Sequence, residues 1–369
     1  MTLARLEDVI TFKKGKKPKR LVGADQVGAL PYILIENFEG RLSSFTDDEG
    51  CPVTQVSDTL LVCDGARTGL ACTGLHGYVG STLATLRPEM SKLDSGYLFY
   101  FIKGSYALLN SRTKGAAIPH LDKDLLLGLS LPLPPLPEQR RIVDFLSRAE
   151  GIVRLRREAE KKAAELIPAL FLDMFGDPAT NPKGWTVANL GEHVEIPSVV
   201  RTPDLIKDAD HPCIGADSIE SHTGKLIGIT MVKNVKPKSG KYWFDTGDVL
   251  YSKIRPYLAK ASLAPVGGYC SADMYPLRCK PSLHADFLLG LLLSTAFTDY
   301  ATAESVRAQM PKLNRETLFS YRFPVPSMKL QLHFSEQAFA VRSIQIQQVA
   351  ATTKAQATFD VLLAQAFSI

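Results

Sequence analysis

Cationic side chains set among small residues are the first chemistry this sequence offers. Lys13, Lys14, Lys16, Lys17, Lys19 and Arg20 put six cations into eight residues, interrupted by Gly15 and Pro18. Such a run can neutralise several phosphates. Two shorter stretches each place an arginine at the tip of a turn after an apolar, strand-like run. Asp64-Gly65-Ala66-Arg67-Thr68-Gly69 follows LLVC at 60–63, and Ser252-Lys253-Ile254-Arg255-Pro256-Tyr257 follows VLY at 249–251. An arginine there can donate two hydrogen bonds to a guanine edge or a phosphate; the plain alternative is a surface arginine that only solubilises the turn. A third pair of loops, 112–120 and 307–312, is again rich in donors: Arg112, Lys114 and His120 in one, Arg307, Gln309 and Lys312 in the other. Arg201 stands alone between Val200 and Thr202.

No catalytic constellation accompanies these cations. A P-loop, G-x-G-x-x-G, H-E-x-x-H and G-x-S-x-G are all missing, and with them the backbone phosphate cradle, zinc pair and nucleophile elbow that those spacings build. Ser111 to Lys114 is formally S-x-x-K, without its companion motifs. The Asn/Asp-Pro-Pro-aromatic loop of an adenine methyltransferase does not occur. Six cysteines are scattered with no C-x-x-C and no histidine pair at i, i+4, so neither a disulfide framework nor a metal site is expected. The net charge of +5 permits a nucleic-acid partner without demanding one. The longest apolar run, 287–293, is far too short for a bilayer, and the start of the chain has no apolar signal core; a cytoplasmic protein without a membrane partner is expected. A chain of 369 residues with 45% apolar content suits two or three domains.

Two long helices must position these loops. Pro132, Pro134, Pro135 and Pro137 hold the backbone extended and end a globular unit. From Glu138 the composition turns to Glu, Arg, Lys, Ala and Leu, and apolar residues recur by heptads: Ile142, Ala149, Ala163 and Leu170 on one row, Leu146, Val153, Ile167 and Met174 on the next. Arg156 and Glu160 interrupt the middle of that seam, and Pro168 inside the helix predicts a kink or restart near 164–168. The design recurs 192 residues later, with Phe334, Val341, Ala355 and Leu362 on one row, Ala338, Phe359 and Ala366 on the other, and Gln345, Gln348 and Thr352 in the polar middle. The shared register extends outside the helices. IPHLDKDLL at 118–126 matches MPKLNRETL at 310–318, and Pro132, Gln139 and Phe175 find Pro324, Gln331 and Phe367. An internal duplication follows.

Each half also carries a mixed domain. Short strands are expected at 32–35, 60–63 and 83–86 with a buried helix at 96–110, then again a strand at 249–251 and a helix at 285–302. Aligning the polar centres lets apolar ends cover one another in an antiparallel helix pair, although a parallel pair would satisfy the same centre.

The order of mixed domain, LPLPPLPEQ, long helix ending LFLDMFG, second mixed domain and second long helix resembles the specificity subunits of type I restriction-modification systems along the whole chain. The resemblance implies an α+β protein in which two similar mixed α/β target-recognition domains are separated by two long helices forming an antiparallel coiled coil, with an internal pseudo-twofold repeat. Its parts would be a first recognition domain (1–135), a first conserved helix (136–176), a linker and second recognition domain (177–326) and a second conserved helix (327–369). A seam of about 35 residues would be about 50 Å long and act as a ruler between half-sites.

It further implies a non-catalytic subunit that binds double-stranded DNA, two methyltransferase subunits and restriction/translocase subunits. S-adenosylmethionine, ATP and Mg would then belong to those partners, and this chain would hold no metal or cofactor. The DNA-contacting residues expected are Lys16, Lys17, Arg20, Arg67 and Lys114 in the first domain, and Arg201, Lys253, Arg255, Arg307 and Lys312 in the second. The second copy replaces Pro135, Pro137 and Glu138 by Ser327, Lys329 and Leu330, so a different start to the second helix is expected. The rival readings are a protein-interaction scaffold built on the same helices, separated by competitor-resistant DNA binding, and a stand-alone DNA-binding regulator, separated by a neighbouring methyltransferase gene.

Overall fold

The computed structural model describes residues 2–41, 44–115, 118–197, 200–305 and 311–367. Two 40-residue helices, Leu136–Phe175 and Met328–Phe367, run through it. Each is about 60 Å long at ~1.5 Å per residue, longer than the apolar seam alone suggests. The chain divides into two compact units, Met1–Arg157 with Ala350–Ile369, and Glu158–Val349. Each unit therefore owns one half of each long helix.

In the first unit Leu3–Arg5 pairs antiparallel with Ser130–Pro132. One four-stranded sheet has the order Ile10–Lys14, Leu83–Pro88, Thr59–Val62, Ala71–Cys72, and a second the order Phe45–Thr46, Leu30–Ile33, Gly77–Val79, Val53–Thr54. The second unit repeats this plan strand for strand. Thr186–Asn189 pairs with Arg322–Val325, and the two sheets run Val194–Glu195, Met274–Cys279, Val249–Ser252, Ala261–Leu263 and Thr230–Met231, Pro212–Ile214, Gly268–Ser271, Lys241–Phe244. Both small sheets contain one parallel pair, Leu30–Ile33 with Gly77–Val79 and Pro212–Ile214 with Gly268–Ser271. The duplication thus extends to topology and strand direction.

The strands stand within a few residues of the runs predicted for them. The helix expected over 96–110 is two, Ser95–Gly104 and Tyr106–Ser111, and that over 285–302 is also two, Ala285–Leu293 and Thr295–Ser305. At the second break Ser294 is extended, and its hydroxyl accepts from the Phe297 N–H. A serine in that conformation caps a new helix better than it continues an old one.

In the first unit Leu146 and Val153 of the first long helix share a core with Phe359, Leu363 and Phe367 of the second. In the second unit Phe171 and Phe175, with Ile167 against them, share a core with Phe334 and Ala338. Early residues of one helix meet late residues of the other in both units, so the pair is antiparallel. Ile142, Leu170 and Leu362 are half-buried against these cores, and Val341 is half-buried. Phe171 and Leu363, absent from the predicted seam, are buried beside the predicted Leu170 and Leu362. The displacement by one position at equivalent places is what drift of a ~3.6-residue turn away from a 3.5-residue repeat produces.

Polar contacts between the helices involve Gln345 of the predicted centre and a pair outside it. Arg157 donates to Gln356 in the first unit (2.8 Å), and Gln345 donates to the Ala163 carbonyl in the second (2.7 Å). Pro168 neither ends nor restarts the first helix. Its missing N–H leaves the Ala164 carbonyl without the usual helical donor, and both residues line a cavity of ≈ 360 Å³ in the second unit with Phe171, Gly290, Arg342 and Gln345.

The proline-rich start of each helix is fixed by one buried glutamine. Gln139, with no exposed surface, accepts from the Asp94 N–H (2.8 Å) and donates to the carbonyls of Lys92 and Pro134 (both 2.8 Å). Gln331, equally buried, accepts from the His284 N–H (2.8 Å) and donates to the carbonyls of Pro326 (2.9 Å) and Ser282 (3.5 Å). The expectation of a differently built second helix start is therefore corrected. The Pro135 carbonyl accepts from the Glu138 and Gln139 N–H groups, and the Ser327 carbonyl from those of Leu330 and Gln331; a carbonyl can do this from either residue type.

The same joint holds the start of the domain's own helix in the first unit, because Asp94 caps Ser95–Gly104 by accepting from the Gly96 and Tyr97 N–H groups. Replacing Gln139 by alanine strands one N–H and two carbonyls in a buried place, at about 2–4 kcal/mol. Gln139→Ala should lower the melting temperature of the first unit by roughly 5–15 °C. A calorimetric shift below about 1 °C would show that the joint carries no stability.

Candidate nucleic-acid interface

The turn after the strand Thr59–Val62 is tied to the loop that precedes Lys123–Leu127. Asp64 and His120 form a β-bridge, Gly65 donates to the Pro119 carbonyl (2.8 Å), and Leu121 donates to the Cys63 carbonyl (2.7 Å). Asn110 reaches over the turn to the carbonyls of Ala66 (3.1 Å) and Thr68 (2.8 Å). In the second unit Ile254 and Lys312 form the equivalent bridge, Arg255 donates to the Pro311 carbonyl (2.9 Å), and Leu313 donates to the Lys253 carbonyl (2.8 Å). The two units thus hold one backbone device in duplicate. Pro119 and Leu121 recur as Pro311 and Leu313, whereas Asp64, Gly65 and His120 are replaced by Ile254, Arg255 and Lys312.

In the first unit Asp64 is the hub. Its carboxylate accepts from Lys14 Nζ and meets the His120 ring, each at 2.8 Å. Burial pushes this carboxyl up, but the hydrogen bonds from His120 and Lys14 outweigh burial and hold it below its ordinary value. Arg67 is exposed at the tip, 3.0 Å from Glu39. Lys114 lies 2.8 Å from Asp122, and this ion pair holds the ammonium above its ordinary value.

The basic run leaves the strand Ile10–Lys14 through Gly15, which lies so close to the neighbouring backbone that a Cβ would stand 2.1 Å from the Gly80 carbonyl. Lys16 and Lys17 follow, exposed, and Lys16 donates its backbone N–H to Val79. Arg20 is paired through two nitrogens with Asp47.

In the second unit the same place has no carboxylate. Arg255 is exposed, with Tyr257 half exposed beside it. Its backbone sits in the left-handed region at φ 51°, which costs a non-glycine residue about 1 kcal/mol. Lys312 is exposed, and among the described residues neither it nor Arg255 has an ion-pair partner. Lys253, expected at the surface, is only 7% exposed. Its ammonium lies on the Ala272 carbonyl and over the Tyr275 ring, and burial lowers its pKa. It braces the turn from inside.

Arg201 is also held. It donates to the Tyr269 hydroxyl (2.6 Å) and lies over the Tyr269 and Trp243 rings. Arg307 falls outside the described residues. The structure therefore brings Arg67 and Lys114 to one loop pair and Arg255 and Lys312 to the other, and places Lys16, Lys17 and Arg20 on a separate segment and Arg201 in an aromatic cluster.

Sequence reasoning missed two supports at the opposite ends of the strands that lead into these turns. Asp58, with a fully buried side chain, accepts from Arg87 at 2.8 and 2.7 Å, and Asp248 accepts from Arg278 at 2.9 and 2.9 Å. Each aspartate also accepts a backbone N–H three residues earlier, from Gln55 or Asp245, both at 2.8 Å. The aspartates precede the central strands at the same place in both halves, and that recurrence was a usable signal. Among the described residues no group of three or more His, Cys, Asp or Glu is placed to hold a metal, and no helix is long and apolar enough to cross a membrane.

The family model of the type I restriction modification DNA specificity domain matches residues 1–165 and again 182–336. The chain is 27% identical over 372 residues to the type I restriction enzyme EcoDI specificity subunit of Escherichia coli, covering 91% of this chain and 80% of that protein. It is 23% identical to the MjaVIII specificity subunit of Methanocaldococcus jannaschii, covering 93% and 86%. Among solved structures it is similar in fold to the S subunit of the M. genitalium type I system (TM-score 0.57, 15% identity, 99% of this chain and 96% of that one). It is likewise similar to a chain from a study of complex assembly and conformational transition of the type I R-M system (TM-score 0.61, 20% identity, 99% and 97%). With two copies of one turn-and-loop device on two copies of one domain, and the family model matching each copy, the chain belongs to the type I restriction-modification DNA specificity family.

Proposed function

We propose that each unit reads one half of a split site in double-stranded DNA through its paired loops, 64–69 with 114–121 and 253–258 with 311–313. The observation that carries this reading is the identical backbone bracing of two loop pairs whose side chains differ. A scaffold kept while its exposed chemistry diverges suits two ligands of one kind. Arg67 and Arg255 stand at the tips as base or phosphate donors. Lys16, Lys17, Lys114 and Lys312 supply phosphate contacts, Arg307 is assigned with them, and Arg20, Arg201 and Lys253 support these surfaces from their own partners.

The chain performs no chemistry in this reading. It directs two methyltransferase subunits, which bring S-adenosylmethionine, to adenines in the site, and restriction subunits with ATP and Mg to unmethylated copies. The long helices offer the surface for such partners. Phe339 and Ile346, one heptad apart, are 72% and 70% exposed, and Phe145 and Ile152 are 58% and 52% exposed. Exposed apolar side chains at seven-residue spacing suit a further helix.

Sequencing of N6-methyladenine in a methylation-free host expressing this chain with its neighbouring methyltransferase tests the reading. One split motif should appear and vanish when this chain is omitted. Absence of methylation from an assembled complex would refute it.

Arg255 allows a second test, since its backbone favours glycine. Arg255→Gly should hold thermal stability or raise it by up to ~1 kcal/mol. The same change should weaken binding to the cognate site by ~1–3 kcal/mol and to random DNA by much less. Equal losses on both would reduce Arg255 to a phosphate contact. Lys312→Ala should flatten the salt dependence of binding by about 0.9 in slope, and an unchanged slope would remove Lys312 from the interface.

A further inference from the structure

The bridge position that holds Ile254 in the second unit holds Asp64 in the first, among the cations Lys14, Arg67 and Lys114 of the loop pair. A carboxylate there repels the DNA backbone unless it meets a donor. In the major groove the donors are the exocyclic amino groups of cytosine and adenine. The side chain is 23% exposed, so it is neither sealed in the core nor free. Lys14 engages one carboxylate oxygen and His120 the other, and an ionised carboxylate retains acceptor capacity beyond two hydrogen bonds. Lys14 is cationic, which offsets the repulsion of nearby phosphates.

The position is also rigid. The backbone on either side is fixed by the Pro119 and Cys63 hydrogen bonds, and the turn that follows is fixed by Asn110 and by the Thr68 hydroxyl on the Gly65 carbonyl. A group that reads a base must be held in place before the base arrives.

We infer that Asp64 is a specificity residue of the first domain, accepting a hydrogen bond from the amino group of one cytosine or adenine in its half-site, with Lys14 and His120 as positioning residues. This rests on the reading of the loop pairs as DNA readers. The second unit has Ile254 in place of that acceptor at the bridge, with Arg255 and Lys312 beside it, and reads at this position by donation and apolar contact.

The test uses the full chain in its complex with the methyltransferase. Each cytosine or adenine of the first domain's half-site is replaced in turn by the analogue lacking the amino group, and binding is measured with the unaltered protein and with Asp64→Asn. One replacement should cost the unaltered protein roughly 10- to 100-fold, and Asp64→Asn should abolish most of that difference. In the methylome Asp64→Asn should relax one position of one half of the motif and leave the other half intact. If every replacement costs both proteins the same, the inference is overturned, and the measurement on the unaltered protein stands even where the variant folds poorly. If Arg255→Ala changes the second half-site while Asp64→Asn leaves the first unchanged, only the role of Asp64 fails. If neither change touches either half, the loops are not the readers.

Discussion

The buried glutamine at the start of each long helix is the constraint on which the remaining architecture depends. A proline-rich segment cannot hydrogen-bond itself into place, since proline has no N–H and its predecessors are held extended. Gln139 and Gln331 supply the missing partners from the first turn of the helix. Each ties its own helix to the carbonyl of the proline segment and to the start of the domain's apolar helix. Because both donors and the acceptor are used, the glutamine fits only one relation between domain and helix. Orientation is set by hydrogen bonds, whereas the apolar cores around it supply most of the affinity without direction.

The duplicated plan was legible because three signals coincide: heptads, the proline start, and a register shared outside the helices. The antiparallel sense was not, since the polar middle is compatible with both directions; the cores joining Val153 to Phe359 and Phe171 to Phe334 decide it. Phe171 and Leu363 escaped because an ideal heptad was applied to helices that drift from it. The second helix start is built like the first because the exchanges at Ser327 and Lys329 leave in place the carbonyl that accepts and the two N–H groups, of Leu330 and Gln331, that donate to it.

The loops were legible as cation-bearing turns but not as partners of one another. Residues 64 and 120, or 254 and 312, are too far apart along the chain for spacing to join them, and only the strand order brings them together. For the same reason Lys253 was placed outside, although its cation lies over Tyr275, and Asp64 was passed over as a neighbour of Arg67. Buried aspartates at the start of each central strand, paired with Arg87 and Arg278, fix the strand that leads into each turn. Such pairs matter more for fixing one geometry than for net stability.

One feature of the first unit bears on the order in which the molecule is made. Its core takes residues from 1–157 and from 350–369, whereas the second unit is one uninterrupted stretch. During synthesis the second unit can complete its own core while the first still lacks Phe359, Leu363 and Phe367. Domains generally fold as they emerge, N-terminal first; here the unit that emerges first must wait for Phe359 to Phe367 of the second long helix. Until then its apolar helix surface stays open, and that interval on the ribosome is when the nascent chain is most prone to capture by chaperones or to misassembly with its neighbours.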